Sequence, residues 1–240
     1  MHVAPKRYLI VNADDFGLSA GVNAGIVAAR EHGIVTSASL MVRMPAAAEA
    51  ADYGRRHAEF SVGLHVDLGE WVYRDGEWVK SYEVVPADNR DAVAPEVARQ
   101  LQRFRELAGR DPTHLDSHQH LHRDEPVRSV LIEAATALGV PLRHFSPVVA
   151  YCGGFYGQTA KGAPFPDAIS VAGLCAMFAG LPAGITEMAC HPGTGTDFVS
   201  DYAVERAAEV KTLCDPRAGE ALREMGIALT SFHTGAVRSP

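Results

Sequence analysis

Arg7-Tyr-Leu-Ile-Val-Asn-Ala-Asp-Asp15-Phe-Gly17 decides how the rest of the chain is read. Its apolar run has the length and composition of a buried strand, and it ends in two adjacent carboxylates and a glycine. Neighbouring side chains on an extended strand point to opposite faces, so Asp14 and Asp15 come together only if the backbone is turning there. Gly17 permits the turn, and Ser19 is placed to cap the helical pattern that follows over residues 20–31. Carboxylates at the carboxyl end of a buried strand stand where α/β proteins place ligand chemistry. The plainer reading of the same pair is ordinary turn and cap residues.

Beyond this stretch, strands and helices alternate. Residues 34–42, 60–66, 113–117, 140–145, 184–190 and 227–232 read as strands. Residues 45–57, 92–108, 125–138, 169–178, 201–214 and 218–224 read as helices, with Gly109 and Gly139 as stops for two of them. With the first strand this makes about seven strands linked by connections long enough to cross back over a parallel sheet. The expected fold is therefore α/β: a distorted β/α barrel with mostly parallel strands, formed by residues 1–240 as a single domain, with its site at the carboxyl ends of the strands. Two segments interrupt the alternation. Residues 71–85 carry Asp75-Gly76 between aromatic runs and read as a hairpin whose Trp71, Tyr73, Trp78 and Tyr82 either cover the core or flank a substrate. Residues 148–167 are rich in glycine and aromatics without regular period and read as a long functional or mobile loop. Residues 2–5 read as a loose tail.

The 240 residues, 47% of them hydrophobic, can bury one sizeable core. A net charge of −7 offers no broad attraction for nucleic acid or an anionic membrane surface. Neither a targeting segment ahead of the first strand nor a membrane span is legible, and the four cysteines lack the paired spacing of a zinc knuckle. They read as reduced core cysteines, so a cytoplasmic location is expected.

His65, His118 and His191 all fall at or just beyond the ends of expected strands, where a parallel β/α arrangement would gather them over the acidic pair. Around His118 the chain reads His114-Leu-Asp-Ser-His-Gln-His120-Leu-His122. Imidazoles suit zinc and, mixed with a carboxylate, harder divalent ions, but spacing alone leaves open which members of the cluster are ligands and which are structural. Two carboxylates beside histidines have a direct use: one completes a metal site and its neighbour acts as general base toward water, while a histidine across the cleft protonates a departing amine. That chemistry is hydrolysis at an amide, ester or phosphoryl centre.

Asn12-Ala-Asp-Asp-Phe-Gly-Leu-Ser19, Gly33-Ile-Val-Thr-Ser37, Val62-Gly-Leu-His65, Thr113-His-Leu-Asp-Ser-His-Gln-His120-Leu-His122 and Cys190-His-Pro-Gly193 together resemble the YdjC-like carbohydrate deacetylases, in order and over most of the chain. The resemblance implies a metal-dependent hydrolase that removes acetyl groups from N-acetylated sugars, chitooligosaccharides among them. It implies Asp15, His65 and His118 as ligands of one divalent ion, Mg2+ or Zn2+, Asp14 as catalytic base and His191 as the acid. Asp116, His120 and His122 would orient these groups or touch substrate. Gln119 and the segments at 71–78 and 151–157 depart from the chitooligosaccharide members, which leaves the sugar itself open. Aromatic side chains near the cleft suit sugar stacking or contact with a second copy of the chain. Rival readings are a metallohydrolase of a non-sugar amide or phosphate ester, and a non-catalytic carbohydrate-binding protein on the same scaffold. A phosphate-accepting receiver domain fits poorly, because the late strand ends in His191 rather than a lysine and such a fold needs about half this length.

Overall fold

The computed structural model describes residues 6–195 and 197–234; the expected tail at 2–5 lies outside them. Its first strand, β1 (Arg7–Phe16), sits near the middle of a seven-stranded sheet. The chain continues through α1 (Ala20–His32), β2 (Ser37–Leu40), α2 (Ala47–Arg56) and β3 (Ser61–Val66). A hairpin of β4 (Gly69–Arg74) and β5 (Glu77–Glu83) follows, then α3 (Arg90–Ala108), β6 (Leu115–Ser117) and α4 (Val127–Leu138). The remainder is β7 (Val149–Cys152), α5 (Val171–Ala179), β8 (Gly184–Cys190), α6 (Ala203–Leu213), α7 (Pro216–Glu224) and β9 (Ile227–Leu229).

Strand order is β6-β3-β2-β1-β8-β7, all neighbours parallel, and β9 pairs with the opening residues of β1 on the side that β2 reaches only from Asn12 onward. The sheet curls into an open half-barrel wrapped by helices. Two expectations are corrected. Residues 140–145 do not form a strand: they touch β6 through a single bridge, Leu142 to Leu115. The strand that borders β8 is instead β7, inside the segment expected to be loop. Both arise from the same ambiguity, since a four-residue edge strand among glycines and aromatics carries too little period to be told from loop. The expected final strand keeps only its first three residues and flanks β1 rather than closing the barrel.

Period-two alternation explains why this sheet carries chemistry on one face only. In β1 the odd residues Leu9, Val11 and Ala13 join the main core with Val22 and Ile26 of α1. The even residues run inward as Ile10, Asn12 and Asp14, apolar at the base and increasingly polar toward the carboxyl end. Ile10 packs with Val149 and Phe232 in a small second cluster at that base. Above it, Ser39 of β2 donates to Asp116 and meets His114, which also meets Thr113. Local signals anticipated at the sequence level hold: the Ser19 hydroxyl accepts from Val22 N–H, and Gly109 and Gly139 end their helices in the left-handed region. The Asp75-Gly76 turn has positive φ at both residues, as a tight hairpin requires.

His114 proves structural. Its ring stacks on Phe232 at 3.8 Å and is buried between hydroxyl partners, with burial pulling its pKa down to about 3. Gly63 in β3 makes room for it: an added Cβ would lie 2.5 Å from three ring atoms. Because the ring is pinned by stacking and by Ser39 and Thr113, Gly63→Ala should cost about 1–3 kcal/mol as an overpacking change. Urea unfolding midpoints would measure this, and an unshifted midpoint would mean that the His114 ring can move.

Candidate metal and catalytic centre

Strand β1 does not stop at the acidic pair. It bulges there, with its register to β2 shifting between Ala13 and Phe16 and Asp15 held at φ 66. A left-handed conformation at a residue other than glycine is costly, and it sends Asp14 and Asp15 into the same cleft by different routes.

Asp15 Oδ1 lies 3.4 Å from His65 Nε2 at the end of β3 and 3.3 Å from His118 Nδ1 just past β6. The ligating atoms of these three residues fall within one small group. Asp15 Oδ1 is buried and has no hydrogen-bond partner. Ligands each about 2.1 Å from a tetrahedral ion stand roughly 3.4 Å apart, so one divalent ion would satisfy the orphaned oxygen at the spacings observed. The far sides of Asp15 and His65 are already held. Arg206 of α6 donates from Nη2 to Asp15 Oδ2 at 2.5 Å, and His65 Nδ1 meets Asp116 Oδ1 at 2.7 Å. Glu70 of β4 stands 3.8 Å from His118 Nε2. Carboxylate partners behind ligating imidazoles fix the ring and its tautomer. Burial raises the Asp15 pKa, but Arg206, His118 and His65 together outweigh it and keep the carboxyl well below its ordinary range. Burial likewise works against a charged His118, yet Asp15 and Glu70 lift it to about 9; Asp116 and Asp14 do the same for His65, which is raised well above its usual value. An ion entering here must displace those protons.

Asp14 belongs to a second layer. Arg143 donates to it with two nitrogens, Nη1 to Oδ2 at 2.6 Å and Nη2 to Oδ1 at 2.7 Å, and Asn12 adds a bond to Oδ1 at 2.8 Å. The same guanidinium meets Glu187 of β8 and Asp116, each at 2.7 Å, and is fully buried. Burial alone would raise Asp14; the charge and hydrogen bonds of Arg143 outweigh it and hold the carboxyl below its usual range. Glu187 shows the opposite balance, since burial pushes it up to about 7 despite Arg143.

His191 faces this pair from the end of β8, with Nε2 3.9 Å from Asp14 Oδ2. Its loop is set by backbone contact: a Cβ on Gly25 of α1 would fall 2.4 Å from Gly193 Cα, so glycine at 25 is what lets the His-Pro-Gly turn seat against the helix. Glu209 of α6 accepts the His191 N–H at 2.5 Å, and burial lowers the imidazole to about 4.

The sequence-derived candidates Asp14, Asp15, His65, His118 and His191 thus meet at one rim, and Asp116 stands behind His65 as an orienting group. Asp67, which strand alternation alone would place on the face of His65, turns away: it accepts from Tyr82, Gly69 N–H and Arg43 and anchors the hairpin instead. Arg143, Glu187, Arg206 and Glu209 were not singled out from sequence. Glu187 was the readable one, a lone carboxylate within the apolar run Gly184–Cys190, where burial demands a cationic partner. The site opens into a cleft of about 820 Å³, walled by Trp71, Tyr73 and Trp78 of the hairpin and by Phe155 and Tyr156 of the glycine-rich segment. Tyr156 stacks on Tyr202 at 4.6 Å beside His191. Gln119 fastens the hairpin to the metal loop by exchanging two hydrogen bonds with the Trp71 backbone, at 2.9 and 2.7 Å. Among the described residues no helix is long and apolar enough to cross a membrane, and all four cysteines are free.

The model of the YdjC-like protein family matches residues 8–224. The chain is 34% identical to a carbohydrate deacetylase of Geobacillus stearothermophilus, with 94% of this chain and 97% of that protein covered. It is 32% identical to the chitooligosaccharide deacetylase of Serratia marcescens, with 95% and 98% covered. In fold it is similar to an Enterococcus faecalis protein assigned to cellobiose-phosphate cleavage, with TM-score 0.70, 23% identity, and 95% and 98% of the two chains covered. A polysaccharide deacetylase of Bacillus cereus matches with TM-score 0.54 at 13% identity, covering 98% and 96%.

Proposed function

The chain belongs to the YdjC-like family, and we propose that it is a metal-dependent deacetylase removing the acetyl group from an N-acetylated sugar, with Asp15, His65 and His118 holding one Mg2+ or Zn2+ ion, Asp14 as base and His191 as acid. The observation that carries this reading is the orphaned Asp15 Oδ1 between two imidazoles, with a second, separately ionised carboxylate beside it. Relatives at 34% and 32% identity that bear the names carbohydrate and chitooligosaccharide deacetylase support the substrate class.

A divalent ion bound there lowers the pKa of water and polarises a carbonyl. The chain's own groups supply the rest. Asp14, kept ionised by Arg143, retains a lone pair on Oδ2 to take the proton from the attacking water. His191 rests neutral, and its Nε2 is the neighbouring base to which that proton passes before it reaches the amide nitrogen. Water is thereby divided between acetate and the freed amine. The aromatic walls bury sugar faces, and the hairpin held by Gln119 sets their spacing.

His191→Ala should slow substrates in proportion to leaving-group basicity: little change for an activated aryl acetamide, about 10²–10⁴-fold for a sugar amide. A uniform loss across both would remove the acid role. The defining experiment is acetate release from N-acetylglucosamine oligomers and simple N-acetyl sugars, using metal-stripped protein with Zn2+ or Mg2+ restored. Metal-dependent release establishes the reaction, whereas silence with metal bound moves the substrate to a non-sugar amide or a phosphate ester, or leaves a protein that only binds carbohydrate.

A further inference from the structure

Three further imidazoles converge on the wall of the cleft, apart from the Asp15 group. His120 and His122 follow β6, and His144 follows Arg143. One ring nitrogen from each lies within 4.8 Å of the others, and the ring centroids are 5.3, 5.3 and 5.6 Å apart. Each ring also has a buried nitrogen with no hydrogen-bond partner: Nδ1 of His120, Nε2 of His122 and Nε2 of His144. On two of the rings the opposite nitrogen is engaged, His120 Nε2 with the Tyr151 hydroxyl at 3.2 Å and His122 Nδ1 with Ser117 Oγ at 2.8 Å. A fold does not ordinarily leave three buried nitrogens in one cluster unpaired. The backbone is forced as well: His120 and His144 have φ of 57 and 67, in the left-handed region that residues other than glycine avoid. None of these features is used by the hydrolysis described above.

We propose that His120, His122 and His144 form a second metal site, which binds a borderline divalent cation such as Zn2+ through three imidazole nitrogens. The donor set decides the class of ion. Three neutral nitrogens without a carboxylate suit Zn2+, Ni2+ or Cu2+, whereas Mg2+ demands oxygen ligands. Two arginines act on the cluster, Arg143 on all three rings and Arg123 on His144; the charge of Arg143, which lies over the Tyr151 ring, is already met by Asp14, Asp116 and Glu187. His120 and His144 both line the cleft, so the ion's remaining coordination position would be open to water or a substrate oxygen. This second site stands independently of the deacetylase reading.

The test is metal stoichiometry. Stripped full-length protein is loaded with excess Zn2+, dialysed against metal-free buffer and assayed for zinc per chain by mass spectrometry. Two equivalents are expected in the wild type, one in His144→Ala, and one in the double variant Asp15→Asn with His65→Ala; magnesium loading should never populate the second site. The Co2+ visible spectrum of the wild-type protein, which needs no substitution, should contain two components, of which His144→Gln removes one. A wild type that keeps a single equivalent, lost on changing Asp15, overturns the proposal. So does His144→Ala that still keeps two. Loss of acetate release with both zinc equivalents retained would count against the function and leave this site standing.

Discussion

Asp14→Asn should keep its metal and lose about 10²–10⁴-fold in turnover, while its neighbour Asp15→Asn should lose metal and turnover together. The two carboxylates differ by one position in sequence and by their partners in space. Both Asp14 oxygens face donors on Arg143, and the second lone pair of Oδ2 looks toward His191. An asparagine there cannot accept the proton of water. It also sets an amide N–H against one guanidinium N–H, so a modest fall in thermal stability should accompany the loss of rate. For Asp15 the amide fails in either orientation. With its oxygen toward His65 and His118 it opposes Arg206 with a donor, and with its nitrogen there it offers the ion no lone pair. Metal content after dialysis, measured beside kcat, separates the cases. Metal lost from Asp14→Asn but kept by Asp15→Asn would exchange the two roles.

Arg143→Met should be the most damaging single change to the fold, by about 3–5 kcal/mol. Removing this guanidinium strands Asp14, Asp116 and Glu187 together in the barrel interior, where no other arginine or lysine reaches them among the described residues. The remaining relief is protonation of the carboxyls, which costs the ionised base. Arg143→Lys restores a charge but not the fork that holds both Asp14 oxygens, so it should recover stability more fully than rate. Urea midpoints and kcat for the two variants test this; a methionine variant within 1 kcal/mol of wild type would mean that the carboxylates find other partners.

The motif residues were legible because each sits where a pattern ends: Asp14 and Asp15 where the apolar run of β1 stops, His65 one residue before the end of β3, His118 and His191 just past β6 and β8. Parallel topology then brings those ends together whatever the lengths between them. The residues that set the charges were harder to read. Arg206 lies in an ordinary helical pattern, and Arg143 lies within a segment of strand-like composition that forms only one bridge. What gives each its role is a partner 191 or 129 positions away, and no local period carries that information. Asp67 shows the converse. Alternation alone would set it beside His65, but the strand ends at Val66 and the next turn redirects the side chain to the hairpin.

The central place of β1 also governs how the protein comes off the ribosome. The first strand to be made pairs along most of its length with β8, which begins at residue 184, and at its base with β9 at 227. At about 5–20 residues per second that edge of Arg7–Phe16 waits roughly ten to thirty-five seconds for β8, with its apolar side chains and unpaired amides available to any other strand in reach. Nascent chains halted before β8 emerges should therefore be the aggregation-prone and chaperone-bound species, and chains halted after β9 should not.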